Sequence, residues 1–584
     1  MSTNLSKLHR EDLLDKIRQI RTYIASAPQD ANTGNLLQYL EELTKDVKGK
    51  KYGLVFEEHR ETIDETLNTH IPVLTEEKYL FIDNGGQMNF LIEGDNLAAL
   101  KLLQKTHKGK IDVIYIDPPY NTGNDDFMYD DNYVDTNDSF RHSKWLSFME
   151  KRLRIAKSLL KKNGIILLSI DKNEGFQLKL LLDEIFDETT FVADLHIETS
   201  AIAGPRRYAA INGSVVKTTE FVLGYINGSD TKIMKRPTYD YISGFDTHYS
   251  LFWNKTTESF EKFADTLKTN EKIKSFFDKL ELKITLPNFR NVITIYDEVK
   301  NWLYSKEIAE NLFRESDPTT KIPKEYFKDK DYLLEYENAY YKVNRDKTAT
   351  ILFRYADRLG QCDDYYSSFG ERCIRGNLWK GFSSDGGNLA KEGGISFKNG
   401  KKPKRLIKQL LKSVTTEKQK NNLIVLDFFA GSGTTAEAVL DLNKDDEGSR
   451  SFVLCTNNEN NICKEKTYVR ISNVLKVCKG SLKYYKIDFV PISDKLYYEY
   501  ADELLLHVRE LVELENGINF NGNNDIAIVL TDEEMEQFVK RKSTAKILYR
   551  GHDVLLNVEQ EIYLNANGIH VNVIPDYYYN ELTK

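Results

Sequence analysis

Two consecutive prolines stand between an acidic and an aromatic residue in Asp117-Pro118-Pro119-Tyr120, directly after the apolar run Ile111–Ile116. The prolines hold the backbone extended and remove two N–H donors. What remains is a row of acceptors, the Asp117 carboxylate and the Pro118 carbonyl, beside the ring of Tyr120. Such acceptors suit the exocyclic amine of a nucleobase, whose lone pair is delocalised into the ring. We therefore predict that these four residues are catalytic: the carboxylate stabilises positive charge on the amine, and Tyr120 stacks on the base.

A glycine-rich turn follows a second apolar run, Leu423–Leu426, in the motif Asp427-Phe428-Phe429-Ala430-Gly431-Ser432-Gly433-Thr434-Thr435. Gly431 and Gly433 permit a tight turn and a close approach of the backbone to a ligand. The helix predicted after Gly433 has free N–H groups at its N-terminus, which suit the carboxylate of an amino-acid-like cofactor. Asp427 is expected to hold the cofactor's ammonium group, directly or through water. The motif lacks the full G-x-G-x-x-G pattern of dinucleotide sites.

Two further acidic residues are predicted at strand ends. Asp95, which precedes Asn96, follows the strand predicted over Met88–Gly94, and is placed to accept the adenine amine of a cofactor. Glu459 follows the strand predicted over Ser451–Asn457, where an acidic residue can accept ribose hydroxyls. Taken singly, each is more typical of a helix cap or a surface acid. Their weight comes from the pattern, in which four strand ends carry compatible groups.

The elements that must position these residues alternate between strand and helix. The first block has strands at Met88–Gly94, Ile111–Asp117 and Ile165–Asp171, and the second resumes near Lys402. Because the strands are apolar with little polar interruption, the pattern predicts an α/β fold with a mostly parallel, Rossmann-like sheet. The alternation of strands and helices is lost between about 194 and 394, which predicts an inserted domain.

These motifs resemble those of the DNA amino-methyltransferases. The catalytic motif precedes the cofactor loop, which is the order of the circularly permuted β class, and Phe397–Pro403 is similar to that class's element before the loop. The resemblance implies S-adenosyl-L-methionine as cofactor, with Lys402 beside its methionine end. The cofactor-binding residues that motifs and resemblance together predict are Asp95, Asn96, Lys402, Asp427, Phe428, Phe429, Gly431, Ser432, Gly433, Thr434, Thr435 and Glu459.

A narrower resemblance is to the modification (Mod) subunits of Type III restriction-modification systems. It rests on Lys51–Glu61, the stretches around Asp95 and Asp117, Thr456–Ile471 and Ser481–Val490. It implies transfer to N6 of a flipped adenine in double-stranded DNA, a homodimer, a restriction subunit as partner, and a bacterial or phage origin. A solitary adenine methyltransferase and an N4-cytosine methyltransferase are the alternatives. The leading Asp117 favours adenine as a family tendency.

The predicted domains follow from these patterns. They are a helical region at 1–80, the first half of the methyltransferase domain at 81–234, a target-recognition domain at 235–395, the second half of the methyltransferase domain at 396–485, and a small α+β domain at 486–584. Within the first region, helices are predicted over Arg10–Ala25 and Leu36–Val47. They are expected either to pack on the main body or to form a dimer contact.

Composition excludes several functions. None of the five cysteines follows a proline, as the nucleophile of cytosine-C5 methyltransferases does, and none has zinc-site spacing, so no metal is expected. A net charge of −8 means that any DNA contact must come from a local patch. Arg206-Arg207 and the run Lys401–Arg405 are candidate phosphate contacts, although the second run is equally typical of a solvated basic face.

Targeting signals and rival motifs are also absent from the sequence. No run is apolar enough for a membrane span or a secretion signal, so a cytoplasmic protein is expected. No Gly-Lys pair is followed by Ser or Thr, as an ATPase loop requires. A non-catalytic DNA-binding module and a methyltransferase acting on RNA or a protein amide remain rival hypotheses.

Overall fold

A computed structural model of the protein describes most of the chain. The described residues are 5–26, 33–48, 56–123, 127–129, 132–135, 137–229, 232, 234–389, 391–397, 400–492, 507–520, 523, 525–551 and 554–574. Lys398 and Asn399 of the predicted element before the cofactor loop, and residues 51–55 of the stretch resembling Mod subunits, lie outside them. Within these ranges no helix is both long enough and apolar enough to cross a bilayer.

The centre of the molecule is one ten-stranded sheet. In spatial order its strands are β1 (His70–Glu76), β21 (Ser481–Pro491), β2 (Met88–Glu93), β20 (Ser449–Thr456), β19 (Asn421–Asp427), β3 (Ile111–Ile116), β6 (Leu160–Ile170), β8 (Thr219–Ile226), β7 (Phe191–Glu198) and β18 (Leu378–Trp379). The six strands from β21 to β6 run parallel to one another, while β1 and β8 pair antiparallel with their neighbours. The predicted α/β fold with a mostly parallel sheet is confirmed.

Helices cover both faces of this sheet. They are α3 (Thr62–Thr69), α4 (Asn96–Thr106), α5 (Arg141–Leu159), α6 (Gly175–Phe186), α14 (Lys404–Val414), α15 (Thr434–Asp446) and α16 (Val469–Leu475). The short helix α7 (Pro205–Ile211), which has no buried residue, lies in the connection between β7 and β8. One core packs α4, α5 and α6 against the sheet, and a second packs α14, α15 and α16 against it. Side chains alternate between the faces of a strand. Burial of both faces therefore explains why β3 is apolar nearly throughout.

The inserted region has sheets and a core of its own. It contains β9 (Tyr239–Tyr241), β10 (Leu251–Asn254), β11 (Ser259–Lys262), β12 (Leu312–Pro318), β13 (Tyr332–Tyr336), β14 (Ala339–Val343), β15 (Ala349–Arg354), β16 (Leu359–Gln361) and β17 (Phe369–Ile374), with α8 (Phe263–Thr269), α9 (Glu271–Lys279), α10 (Leu286–Ile295), α11 (Asp297–Tyr304), α12 (Lys306–Ala309) and α13 (Gly386–Leu389). Strands β10 to β15 form a six-stranded sheet, and a separate cluster of buried aromatic residues fills the helical part.

The N-terminal helices form a pair. Helices α1 (Leu5–Ser26) and α2 (Thr33–Lys48) pack against each other. They leave several large apolar side chains exposed, namely Ile20, Tyr23, Leu36, Tyr39 and Leu43. A short hairpin of β4 (Met128–Tyr129) and β5 (Asn132–Tyr133) lies between β3 and α5.

The C-terminal region differs from the prediction. Strands β22 (Ile526–Val529), β23 (Ile547–Arg550) and β24 (His570–Val573) pair in parallel, and the helices Asp532–Lys540 and Val558–Ala566 alternate with them. This segment is therefore an α/β unit rather than an α+β unit. The helix Val508–Asn516 joins it to the core of the main sheet.

Two predicted domain boundaries also differ from the strands. The boundary between 485 and 486 falls inside β21, and β1 belongs to the main sheet although it lies before residue 81. The reason is that β1 and β21 pair with each other over seven residues at the sheet's edge. Such long-range pairing leaves little local signal in a sequence rich in tyrosine and lysine.

Candidate active site

A cavity of about 780 Å³ lies at the carboxyl ends of the parallel strands. The strands β2, β20, β19 and β3 are neighbours in this order, and each ends at a predicted site segment. Ligands bind at this edge in open parallel sheets. Its lining is Glu61, Thr62, Ile63, Gly94, Asp95, Asn96, Asp117, Pro118, Pro119, Tyr120, Thr122, Phe127, Phe148, Glu220, Gly400, Lys402, Phe428, Phe429, Gly431, Thr456, Asn457, Glu459 and Ile462.

Eleven of the predicted residues line this cavity together. They are Asp95, Asn96, Asp117, Pro118, Pro119, Tyr120, Lys402, Phe428, Phe429, Gly431 and Glu459. The other five, Asp427, Ser432, Gly433, Thr434 and Thr435, are not part of the lining; Asp427 ends β19, and the other four lie in the turn and the first helical residues that follow. The structure therefore brings the motif around 117 and the motif around 430 to one cavity.

The carboxylate of Asp117 is paired with a lysine from the other motif block. The Nζ atom of Lys402 lies 3.0 Å from Asp117 Oδ1 and 3.3 Å from Glu220 Oε2. Burial raises the pKa of Asp117, and Lys402 opposes this rise. Burial lowers the pKa of Lys402, but the two carboxylates outweigh it and the net change is upward. The lysine therefore stays charged between two acids.

Asp117 belongs to a longer chain of alternating charges. Beyond Lys402 and Glu220, the ammonium of Lys217 lies 3.4 Å from Glu220 and 2.9 Å from Asp171, which follows β6. Burial raises the pKa of Glu220, but the two lysines reverse this and leave it lowered. Sequence reading missed Glu220, Lys217 and Asp171, although Asp171 directly follows an apolar strand like the acids that it did select.

The diproline loop is held from behind. The indole Nε1 of Trp145 donates to the Pro119 carbonyl at 2.7 Å. Pro118 lines the cavity, and no donor among the described residues reaches its carbonyl, which leaves that oxygen available as an acceptor. The Tyr120 hydroxyl donates to Glu220 Oε2 at 3.3 Å. Burial is the main cause that raises the pKa of Tyr120 well above its usual value, and the negative charge of Asp117 is the second. Tyr120 is therefore a neutral phenol with a fixed ring.

Asp427 holds its own loop rather than lining the cavity. Its Oδ1 accepts from the Phe429 N–H at 3.0 Å, and its Oδ2 accepts from the Thr435 hydroxyl at 2.5 Å. Burial raises the pKa of Asp427 to about 7, and these hydrogen bonds limit the rise. Both oxygens of Asp427 thus clasp the turn, and because each carboxylate oxygen can accept a second hydrogen bond, the predicted contact with a cofactor ammonium, directly or through water, stays a prediction.

A buried arginine fixes the rest of the glycine-rich turn. Arg470, from α16, donates through Nη1 to Thr434 at 2.6 Å and to Ser432 at 3.2 Å. Its guanidinium also pairs with Glu437 at 2.6 Å. Gly433 has a φ of +76°, and a Cβ there would stand 3.1 Å from Thr467. The predicted Ser432 and Thr434 therefore shape the loop from behind the lining.

Asn96 joins the two motif blocks. Its side-chain amide donates to the Phe428 carbonyl at 3.0 Å and accepts from Arg152 Nε at 2.5 Å. Asp95 caps α4 by accepting from two backbone N–H groups, and its second oxygen lies 3.5 Å from Arg152. The helix cap is confirmed, and Asp95 also lines the cavity, where its predicted contact with a cofactor adenine stays a prediction.

Arg152 itself is fully buried and pairs with Glu61 at 2.8 Å. Its guanidinium lies 3.7 Å above the ring of Phe148, which lines the cavity with Phe428 and Phe429. Sequence reading missed Glu61 and Arg152 because 91 residues separate them. Glu459, by contrast, is exposed at the open side of the cavity beside Thr456 and Asn457.

The basic run 401–405 turns out to be engaged within the protein. Burial lowers the pKa of Lys401 to about 8, and its ammonium contacts the Glu392 carbonyl. Lys404 pairs with Glu437 and Asp441 at 2.8 Å each, and Arg405 pairs with Asp385 at 2.7 Å. These side chains are therefore paired within the protein, whereas the sequence made the run a candidate for phosphate contacts. Lys402 pairs with Asp117 and also lines the cavity, and its predicted place beside the cofactor stays a prediction.

The sequence of this chain is similar to one protein family and to several named proteins. The family model described as DNA methylase matches residues 111–473. The chain is 31% identical over 375 residues to a probable Type III HindVI Mod subunit from Haemophilus influenzae, covering 61% of this chain and 47% of that protein. It is 30% identical over 409 residues to the EcoPI Mod subunit from Escherichia phage P1, covering 65% and 58% respectively.

A third relative is named as a Type II methyltransferase and not as a Type III Mod subunit. The Type II methyltransferase M.KpnI from Klebsiella pneumoniae is 29% identical over 378 residues, covering 62% of this chain and 79% of that protein. The chain thus spans about half the length of the two Mod subunits, 47% and 58%. Because the family model covers more than half of the chain and both site motifs, this protein belongs to the DNA methylase family.

Proposed function

We propose that this protein is a site-specific DNA methyltransferase that transfers the methyl group of S-adenosyl-L-methionine to N6 of adenine. The observation that carries the proposal is the shared cavity. Within it, the buried acceptors Asp117 and Pro118 meet a glycine-rich turn, Phe428–Gly431, that comes from more than 300 residues away in the chain and ends the neighbouring strand.

The lining suits a cationic cofactor that carries an adenine. The cavity of about 780 Å³ lies in the range of small-molecule sites. Asp95 and Glu459 supply carboxylates for an amine or for ribose hydroxyls, and Phe428, Phe429 and Phe148 supply apolar ring surfaces. We propose that these residues, with Gly431, hold the cofactor. Bound there, S-adenosyl-L-methionine would supply an electrophilic methyl group.

The catalytic loop would hold the amine of a flipped base. Asp117 Oδ1 is buried without a well-aligned hydrogen bond, and the Pro118 carbonyl is a second acceptor. Together they can bind both N–H bonds of one amine and localise its lone pair. As the nitrogen gains the methyl group and positive charge, Asp117 stabilises that charge, and one amine proton is then released to water.

Glu220 gives Lys402 an alternative partner when a base enters. An amine that takes over Asp117 Oδ1 displaces an ammonium that is now 3.0 Å away. Leaving a buried ammonium unpaired costs several kcal/mol, on the order of 3–5 for a broken buried pair. Glu220, already 3.3 Å from Lys402, can keep the ammonium paired. We therefore propose that Glu220 and Lys402 are positioning residues for the same reaction.

Membership of a Type III restriction-modification system would also define the partners of this protein. Similarity to two Type III Mod subunits supports a modification subunit of a Type III restriction-modification enzyme. As its partners we propose double-stranded DNA, a second copy of the chain in a homodimer, and a restriction subunit. A second candidate is a methyltransferase without a restriction subunit, which is supported by the greater coverage of M.KpnI, 79% of its length. N4 of cytosine remains the alternative target.

The test identifies the methylated nucleoside. The protein is incubated with cofactor labelled in its methyl group and with mixed genomic DNA, and the DNA is then hydrolysed and its nucleosides separated. N6-methyladenine is expected; label only in cytosine, RNA or protein would overturn the assignment. Long-read sequencing of the same DNA maps the recognition sequence. Co-expression with a candidate restriction subunit, followed by size-exclusion chromatography, separates the Type III assignment from the solitary one.

A further inference from the structure

The connection between β7 and β8 is far longer than its geometry requires. Glu198 pairs directly with Thr219 in the antiparallel ladder, so residues 199–218, here called the arm, join two adjacent strand ends. Two residues suffice for such a connection. Long connections inside compact domains are usually functional. The arm carries the helix α7, and its sequence stands out only for the pair Arg206-Arg207.

The arm presents apolar side chains to solvent. Tyr208 and Ile211 are each 71% exposed, Ile202 is 51% exposed, and Val215 is fully exposed. Residues 201–208 and 211–215 are all exposed, so these side chains do not pack into a core of their own. Exposed apolar groups clustered on one segment mark a binding surface.

The charge of the arm favours a polyanion. It contains no Asp or Glu but has Arg206, Arg207 and Lys217, in a chain whose net charge is −8. Neither arginine forms an ion pair with any residue that the structure describes. Most other basic side chains near the site are paired, as Lys402 and Lys404 show. Lys217 is paired as well, so the cations of the arm that are still available to phosphate groups are Arg206 and Arg207.

The arm stands beside the catalytic cavity. A second cavity of about 420 Å³ is lined on one side by Thr199, Ser200, Arg206, Val216 and Lys217 of the arm. Its other side includes Glu220, Gly400 and Lys402, which also line the catalytic cavity. A strand whose base occupies the catalytic cavity would run past the arm.

We propose that the arm binds duplex DNA and inserts an apolar side chain, Tyr208 or Ile211, into the base stack at the position that the target nucleotide leaves. This inference rests on the proposed function. Flipping a base costs unpairing and unstacking energy. Apolar side chains that enter a base step can offset that cost. Arg206 and Arg207 contact the adjacent phosphates, which positions the arm without reading sequence.

The test uses the recognition site mapped by sequencing, placed in two oligonucleotide duplexes. One has the target adenine paired with thymine, and the other has it opposite an abasic position, which removes the pairing that flipping must break. The variants are Tyr208→Ala/Ile211→Ala and, as a matched control, Ile562→Ala, an apolar residue 63% exposed on a different helix. Methyl transfer and thermal unfolding are measured for each.

The arm variant should lose about 10-fold or more in transfer to the paired duplex, as expected when part of a flipping cost of a few kcal/mol is no longer offset. It should recover most of that loss on the abasic duplex, with unchanged unfolding temperature, while Ile562→Ala resembles wild type on both. Equal losses on both duplexes, or no loss on either, would overturn the inserted side chain. Failure of wild-type protein on both would instead reject the proposed function.

A salt titration tests the binding of phosphate groups separately. Arg206→Ala/Arg207→Ala should reduce the slope of log affinity against log salt by about 0.9 for each phosphate that the variant no longer neutralises. An unchanged slope would overturn the role of the two arginines.

Discussion

The two motif loops each begin with an aspartate at the end of a neighbouring strand, and the structure gives the two aspartates opposite tasks. Asp117, after β3, lines the cavity and is paired with a lysine side chain. Asp427, the last residue of β19, is 3% exposed and spends both oxygens on its own loop. The carboxylate of Asp117 is placed to exchange its lysine partner for a ligand, whereas the carboxylate of Asp427 holds its loop in one conformation.

The difference shows that position at a strand end does not by itself decide function. What decides it is whether the oxygen atoms are already hydrogen-bonded to groups that cannot move. The Phe429 N–H and the Thr435 hydroxyl, 2 and 8 residues from Asp427, form a closed local clasp. The ammonium of Lys402 stands at the end of a flexible side chain with a second acid in reach, so its pairing with Asp117 can be exchanged.

The largest effect is expected for Asp117→Ala. The loss of the buried carboxylate removes an acceptor for the amine and its charge stabilisation, so methyl transfer should fall by about 100-fold or more, the loss typical of a removed oxyanion-hole donor. Single-turnover transfer to the mapped DNA site measures it. Asp117→Asn is the control that keeps the shape, and it should also be strongly impaired; full activity in either variant would contradict the assignment.

A smaller loss, of a different kind, is expected for Asp427→Ala. It leaves the Thr435 hydroxyl and the Phe429 N–H without their acceptor, at about 1–3 kcal/mol for each buried group. The cofactor loop should loosen, with lower unfolding temperature and weaker cofactor binding. Asp427→Asn keeps one acceptor and should lie between the two. Differential scanning fluorimetry with and without cofactor reports both effects, and a stable variant with normal binding would refute the clasp.

Glu220→Gln tests the exchange at Asp117. Lys402 would keep Asp117 as its one anionic partner and would compete more strongly with the amine. The turnover rate should fall about 10-fold, equivalent to roughly 1.4 kcal/mol, while cofactor binding is unchanged. Asp194→Asn on the adjacent β7, an acid 51% exposed, is the control. A loss confined to cofactor affinity, or equal losses in both variants, would exclude the positioning role.

The smallest effect concerns the carboxyl group of Glu174, which is hydrogen-bonded to the residue after the loop Asp117–Tyr120. Glu174 accepts from Asn121, the residue after Tyr120, at 2.5 Å, and burial raises its pKa to about 8. Since the folded pKa exceeds the usual 4.5, the folded state keeps a proton that the unfolded state releases between these values. This contribution to stability is present below pH 4.5 and is lost as pH rises through about 8.

Glu174→Gln, which resembles the protonated acid, should remove this dependence. Its free energy of unfolding relative to wild type should therefore increase from about pH 5 to about pH 8.5, as measured by urea denaturation across that range. Glu184→Gln, at an exposed position of α6, the helix that begins directly after Glu174, is the matched control and should follow the wild-type curve. Parallel curves for Glu174→Gln and wild type would contradict the raised pKa.

The sequence predicted the parts of the site that depend on local order. Asp95, Asp117 and the turn after Asp427 each follow an apolar strand, and parallel strands bring their ends to one edge. The strand and helix pattern around them was likewise visible. The strands can be recognised in the sequence because a sheet buried on both faces requires uninterrupted apolar runs.

The partners of these residues were not predictable, because they come from distant segments. Glu220 lies 100 residues from Tyr120, and Arg470 lies 36 residues from Thr434. Arg152 looks like a surface residue in the run Lys151-Arg152, yet it is fully buried where it pairs with Glu61. The parallel order of the C-terminal strands was missed for a related reason, since short strands of four residues leave no clear pattern.

We infer that the loops around 117 and 430 contribute to one cavity in different ways, the first to methyl transfer and the second to cofactor binding. Cofactor affinity and single-turnover methyl transfer should be measured together for Asp117→Ala and Asp427→Ala, using calorimetry and the labelled-methyl assay on the same preparations. The predicted result is a crossed pattern: Asp117→Ala binds cofactor like wild type but transfers almost nothing, whereas Asp427→Ala binds it weakly and transfers at a substantial rate once saturated. Parallel loss of binding and transfer in both variants would contradict these separate roles of Asp117 and Asp427.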